Sequence, residues 1–97
     1  MSQSPLVVRK VAVLGAGVMG AQIAAHLINA RVPVMLFELA AKEGDPNGNV
    51  LKAIANLKKL EPSPLATKDV ADLIEPANYD QHLDALRDCD IVIEAIS

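Results

Sequence analysis

Gly15, Ala16, Gly17, Val18, Met19 and Gly20 spell the pattern G-x-G-x-x-G. That spacing suits a bare-backbone contact with a pyrophosphate. Gly15 permits a tight turn, Gly17 puts no side chain where phosphates approach, and Gly20 lets a following helix lie close to a sheet. The anion then meets free amides and the positive end of the helix dipole, so no neighbouring Lys or Arg is required. Glu38 stands 21 residues after Gly17. A carboxylate at that point accepts both hydroxyls of an adenosine ribose and repels a 2'-phosphate, which favours NAD over NADP. The nearest cations in sequence are Arg31 and Lys42, and neither directly follows Glu38 as an NADP clamp would.

The other chemically capable residues read more plainly. His26 and His82 fall at surface or boundary positions, away from the strand ends where this kind of fold holds a ligand. Cys89 has no basic or His neighbour in sequence to lower its pKa, so it reads as a packed thiol and not as a nucleophile. Glu94 is a carboxylate in an otherwise apolar strand whose end faces the crevice. Lys52, Lys58 and Lys59 read as the solvated face of a helix. No metal site is indicated, because no second Cys and no close His pair is present.

For the glycines and Glu38 to act together, a strand must end at Gly15 and a second at Glu38. The run from Lys10 to Leu14 is β-branched and apolar and stops at Gly15, as expected of a strand buried on both faces. From Met19 to Asn29 the apolar Met19, Ile23, Leu27 and Ala30 recur at helical steps, which predicts an amphipathic helix facing the sheet with that stripe. Val34 to Glu38 is the second strand, completing a βαβ unit. Asp45 and Pro46 suit the cap and first turn of a second helix over about 47–59, with Val50, Ile54 and Leu57 on one face. Thr67 is positioned to cap a turn through Leu73, and Leu73 to Tyr79 is a strand that Pro76 confines to a sheet edge. Asp80 is expected to cap a short helix carrying Leu83 and Leu86, before a last apolar strand from Ile91 to Ile96. The order βαβαβαβ implies an α/β fold, a parallel doubly wound sheet of Rossmann type with strand order 3-2-1-4.

The chain has 97 residues, 52% of them hydrophobic, with a net charge of -3. Such a composition excludes a disordered tail and leaves room for one layered domain, residues 1–97. No basic stripe interleaved with aromatics is present, so nucleic acid is not an expected partner. No apolar run is long enough for a membrane span or signal core, and the chain reads as cytoplasmic. The last strand would be an uncovered apolar edge, which predicts a piece of a longer protein that self-associates, as a homo-oligomer or otherwise, through its fourth strand.

The stretch from Lys10 to Ala24, the acid at Glu38, and the run Asp90, Ile91, Val92, Ile93, Glu94, Ala95, Ile96 closely resemble the NAD-binding domain of L-3-hydroxyacyl-CoA dehydrogenases. The likeness spans nearly the whole chain and is nearest to bacterial multifunctional fatty-acid-oxidation proteins. It implies oxidation of (S)-3-hydroxyacyl-CoA to 3-ketoacyl-CoA in β-oxidation, by hydride transfer to NAD. Carried over by position, Gly15, Gly17, Met19 and Gly20 would line the pyrophosphate, Glu38 the ribose, and Ile96 with Ser97 the wall near the nicotinamide. The catalytic His and the domain that receives the acyl-CoA would lie downstream, so this chain alone is expected to bind without turnover. Two departures stand out: Arg31 at a helix exit where the family often has Gly, and the loop from Gly44 to Gly48. The competing readings are an FAD-binding unit, another NAD-dependent β-hydroxyacid dehydrogenase, and a non-catalytic nucleotide-binding module. The helix expected from Gln81 to Arg87 argues against the first, which would place a β-meander there.

Overall fold

The computed structural model describes residues 9–60, 65, 66 and 68–95. Four strands, β1 (Val11–Leu14), β2 (Val34–Glu38), β3 (Ile74–Asn78) and β4 (Ile91–Glu94), form one sheet in the order β3-β2-β1-β4. Every neighbouring pair is parallel, with Val11 opposite Val34 and Ile91, and Val34 opposite Ile74. Two helices, α1 (Val18–Asn29) and α2 (Gly48–Lys59), and two 3-10 segments, Lys68–Leu73 and Leu83–Asp88, make the connections. The alternation and the strand order read from the sequence are therefore those of the molecule.

Alternation along the strands separates two cores. Val11, Val13, Val34, Leu36 and Ile74 pack with Ala21, Ala24, Ala25 and Ile28 of α1 and with Val50, Ile54 and Leu57 of α2. On the opposite face Ala12, Met35, Phe37 and Ala77 meet Leu14, Tyr79, Ala85, Leu86 and Cys89. Leu36 and Phe37 are fully buried, whereas Ile91 and Val92 of β4 are 40% and 45% exposed. Fully burying such a side chain is worth about 1.5–3 kcal/mol, so β2 anchors the sheet and β4 adds little to it. Pro76 lies in β3, which has β2 as its one neighbour, so the missing N–H is tolerated at this edge.

The stripe expected to face the sheet from α1 is displaced. Gly20, Ala21, Ala24, Ala25 and Ile28 are buried, while Met19 is 66% exposed, Ala30 is exposed, and Ile23 and Leu27 are half-buried at the margin. The cause is the contact at Gly20, where a Cβ would stand 1.7 Å from the Gly15 carbonyl oxygen. A helix that close to β1 accepts alanines beneath it and pushes long side chains aside.

Several boundaries also move. The α2 cap is Asn47, and Asp45 instead forms an Asx turn, its Oδ1 accepting the Asn47 amide at 2.9 Å. His82, not Asp80, precedes the Leu83–Asp88 segment, in which Leu83 remains 52% exposed. β1 starts at Val11, β3 spans Ile74–Asn78 and β4 ends at Glu94, so Glu94 closes that strand. Thr67, Ile96 and Ser97 lie outside the described residues. At the other end of α1, Arg31 and Val32 donate to the Ile28 and Leu27 carbonyls, both at 3.0 Å, in a Schellman motif. Arg31 takes φ 66°, so the position where the family often carries Gly has a left-handed backbone here.

Candidate functional site

The chain leaves β1 at Gly15, which takes φ 101° and donates its amide to the Phe37 carbonyl at 2.9 Å. Gly17 then caps α1 in extended conformation, with no side chain bonded to the helix terminus. The first intrahelical bond runs from the Ala21 amide to the Gly17 carbonyl at 2.9 Å, so the amides of Val18, Met19 and Gly20 precede the helical ladder. A Cβ on Gly17 would meet nothing within 4 Å. The two inner glycines thus do opposite work: Gly20 is closed against β1, and Gly17 faces open space beside a row of free donors. This combination suits an anion approaching the positive end of the helix.

Glu38 ends β2 next to this loop and ties into it. Its Oε1 accepts the Ala16 amide at 2.8 Å and its Oε2 the Leu39 amide at 2.8 Å. Each oxygen keeps a further lone-pair site, so the carboxylate is aimed by the backbone yet still able to accept from a diol. Arg31 sits at the far end of the 12-residue α1, about 18 Å of helix away, and is no phosphate clamp for Glu38. Lys42 is exposed in the loop after β2.

Glu94 pairs in register with Leu14 and is exposed at the end of β4. The histidines are not brought to this site. His26 is exposed on the outer face of α1, in a groove with Met19, Gln22, Ile23 and Leu27. His82 lies past β3 and its Nδ1 accepts the Asn78 amide at 3.0 Å, a structural bond. Cys89 is half-buried and its Sγ contacts the Ala85 carbonyl at 3.6 Å. Burial pushes its thiol pKa up against the opposing charge of Lys10, consistent with an inert packed residue.

Three features escaped the sequence. Asn78, fully buried at the end of β3, donates from Nδ2 to Asn47 Oδ1 at 2.7 Å and to Gln81 Oε1 at 3.0 Å. Its Oδ1 accepts the Gln81 amide at 2.9 Å, so one side chain locks the start of α2 and the turn after β3 beside Glu38. Lys52 lines a cleft of about 290 Å³ between the loop and α2, along with Asn49 and Asn56. Tyr79, stacked at 5.7 Å on Phe37, has a buried hydroxyl with no hydrogen-bond partner among the described residues. Burial above all, and then the carboxylates of Glu38 and Glu94, raise its pKa, while the Gly15 amide opposes them. Composition carries a signal for none of these three, since each depends on which strand ends meet.

The chain is similar to several known proteins. A Rickettsia felis protein named as a fatty acid oxidation complex trifunctional enzyme is 43% identical over 90 residues, covering 92% of this chain and 12% of that protein. A Deinococcus radiodurans protein named as a 3-hydroxyacyl-CoA dehydrogenase is 41% identical over 90 residues, covering 92% of this chain and 26% of its own length. The chain therefore spans about an eighth to a quarter of these relatives. Among solved structures, the 3-hydroxybutyryl-CoA dehydrogenase of Escherichia coli superposes with TM-score 0.68 at 28% identity, covering 95% of this chain and 19% of that one. The (S)-3-hydroxybutyryl-CoA dehydrogenase of Ralstonia eutropha gives 0.62 at 27% identity, over 94% of this chain and 32% of that one. The family model for the NAD-binding domain of 3-hydroxyacyl-CoA dehydrogenase matches residues 10–97. The parallel sheet in the order β3-β2-β1-β4 is the fold of these solved relatives, and the chain belongs to the NAD-binding domain family of 3-hydroxyacyl-CoA dehydrogenases.

Proposed function

We propose that this chain is the dinucleotide-holding part of an enzyme that oxidises (S)-3-hydroxyacyl-CoA to 3-ketoacyl-CoA. When bound, NAD supplies the hydride acceptor. In this reading Gly15, Ala16, Gly17, Val18, Met19 and Gly20 hold the pyrophosphate, and Glu38 receives the adenosine ribose hydroxyls. Ile96 and Ser97, by position, adjoin the nicotinamide. The observation that carries the reading is the open face of Gly17, beside uncapped amides and a carboxylate already oriented by Ala16.

Loss of a hydride from the carbinol carbon requires removal of the hydroxyl proton by a base in hydrogen-bond reach. His26 is on the outer face of α1 and His82 is at the β3 edge, on the opposite side of the sheet from β4. The base and the acyl-CoA surface are therefore assigned to a further part of the enzyme. Among the described residues β4 has no neighbour on its outer edge, which also fits self-association, with one copy pairing strand to strand with another.

The test is titration of the chain with NADH and NADPH. NADH is expected to bind more tightly. Glu38→Ala should weaken NADH by about 10- to 100-fold, the range for hydrogen bonds to a charged group, and narrow the gap to NADPH. Gly17→Ala should weaken NADH while leaving the chain folded. Equal affinity of the parent chain for the two nucleotides would sink the assignment.

A further inference from the structure

Tyr79 carries a hydroxyl that packing does not explain. Its ring lies on Phe37, tilted by 30°, and a Phe at this position would fill the same space. The hydroxyl is buried and unpartnered among the described residues, an arrangement that costs free energy unless something else supplies the bond. The adjacent backbone donor, the Gly15 amide, is already engaged by the Phe37 carbonyl at 2.9 Å. Being a donor, it could in any case fill only a lone pair of the phenol oxygen. The phenolic proton is left without an acceptor.

The position of this proton gives it meaning. Tyr79 packs against Phe37, the last residue but one of β2, in the cluster that Leu14 at the end of β1 also joins, and the charges of Glu38 and Glu94 act on its hydroxyl. It stands at the carboxyl end of the sheet, on the Phe37 whose carbonyl receives the Gly15 amide of the loop assigned to the dinucleotide. Glu38, which bridges from β2 to the Ala16 amide, ties the same loop to the strand that carries Phe37.

We propose that the Tyr79 hydroxyl is a cofactor-binding donor, held in reserve for an oxygen of the adenosine diphosphoribose half of the dinucleotide. The inference rests on the NAD-binding reading above and adds a residue to it. Burial first, and then the charges of Glu38 and Glu94, keep the group a neutral phenol and so a donor.

Tyr79→Phe in the full 97-residue chain removes the one oxygen and keeps the ring. Without ligand, its melting temperature should equal or exceed that of the parent, because an unsatisfied buried group has been deleted. NADH and ADP-ribose should both bind about three- to tenfold more weakly, since the lost bond does not involve the nicotinamide. Tyr79 is the sole tyrosine and the chain has no tryptophan, so the long-wavelength phenolate absorbance band reports on this group alone. Its alkaline titration in the parent should shift to higher pH when ADP-ribose is present, because a donated hydrogen bond favours the neutral form. Unchanged ADP-ribose affinity in a folded Tyr79→Phe chain would overturn the inference and leave the NAD-binding reading intact. A fall in the ligand-free melting temperature would also overturn it, by showing that the hydroxyl is used within the protein. A parent chain that binds neither NADH nor ADP-ribose would overturn both.

Discussion

At the amino end of the sheet the polar groups are paired with one another. Asp90 accepts the Arg9 amide at 2.5 Å and the Lys10 amide at 3.2 Å, and its own amide donates to the Lys10 carbonyl at 2.8 Å. Lys10 Nζ meets Glu75 at 2.8 Å, and that hydrogen bond holds the lysine pKa above its ordinary value. At the carboxyl end, β1 runs out into three amides ahead of the helical ladder, an open glycine face and an orphaned phenol. Both ends are formed by the same strands, so the difference is not one of composition. An end whose donors are satisfied within the chain serves stability. An end that leaves backbone donors facing water, beside a buried hydroxyl with no partner among the described residues, has hydrogen bonds to give to a ligand.

The largest expected effect comes from Gly20→Ala, where the glycine loop is closed against the sheet. Helix propensity alone would favour Ala by about 1 kcal/mol. Against this, the new Cβ would lie 1.7 Å from one backbone atom of Gly15 and 2.8 Å from another, which no side-chain rotation relieves. The steric term should win, with a net loss of about 3 kcal/mol or more, large against total stabilities of about 5–15 kcal/mol. Urea denaturation measures it, and a gain in stability would show that α1 does not rest on β1 as described.

Asp90→Ala at the amino end should cost about 1 kcal/mol, because the two amides it serves are exposed and regain water. In a chain of this size that lowers the melting temperature by roughly 4–8 °C. NADH affinity should not change. A drop in affinity comparable to that of Glu38→Ala would erase the distinction between the two ends.

Arg31→Gly should give the smallest effect, and of opposite sign. A left-handed backbone costs a non-glycine residue about 1–2 kcal/mol, and the greater freedom of glycine in the unfolded chain returns about 0.5–1 kcal/mol of that. A net stabilisation of about 0.5 kcal/mol is expected. Arg31→Ala, which keeps a Cβ at φ 66°, should not share the gain. Thermal melts of the two variants side by side decide the point.

The strand alternation, the edge position of β3 and the glycine loop are all legible in the amino-acid sequence. These follow from short-range facts: apolar runs ending in glycine, a proline that cannot serve an inner strand, and three glycines in fixed spacing. The same is true of Glu38, whose distance from the loop is one βα crossover. The packing of the folded chain decided which face of α1 is buried, because helical periodicity counts Met19, Ile23 and Leu27 as apolar without knowing that the backbone contact at Gly20 favours the small Ala21, Ala24 and Ala25 beside it. It likewise decided the places of Asn78 and Tyr79, which enter the site 40 residues beyond Glu38 through the parallel pairing of β3 with β2. A residue's own neighbours in the chain set its local conformation, but whether its hydrogen-bonding groups find partners depends on strands brought together from elsewhere.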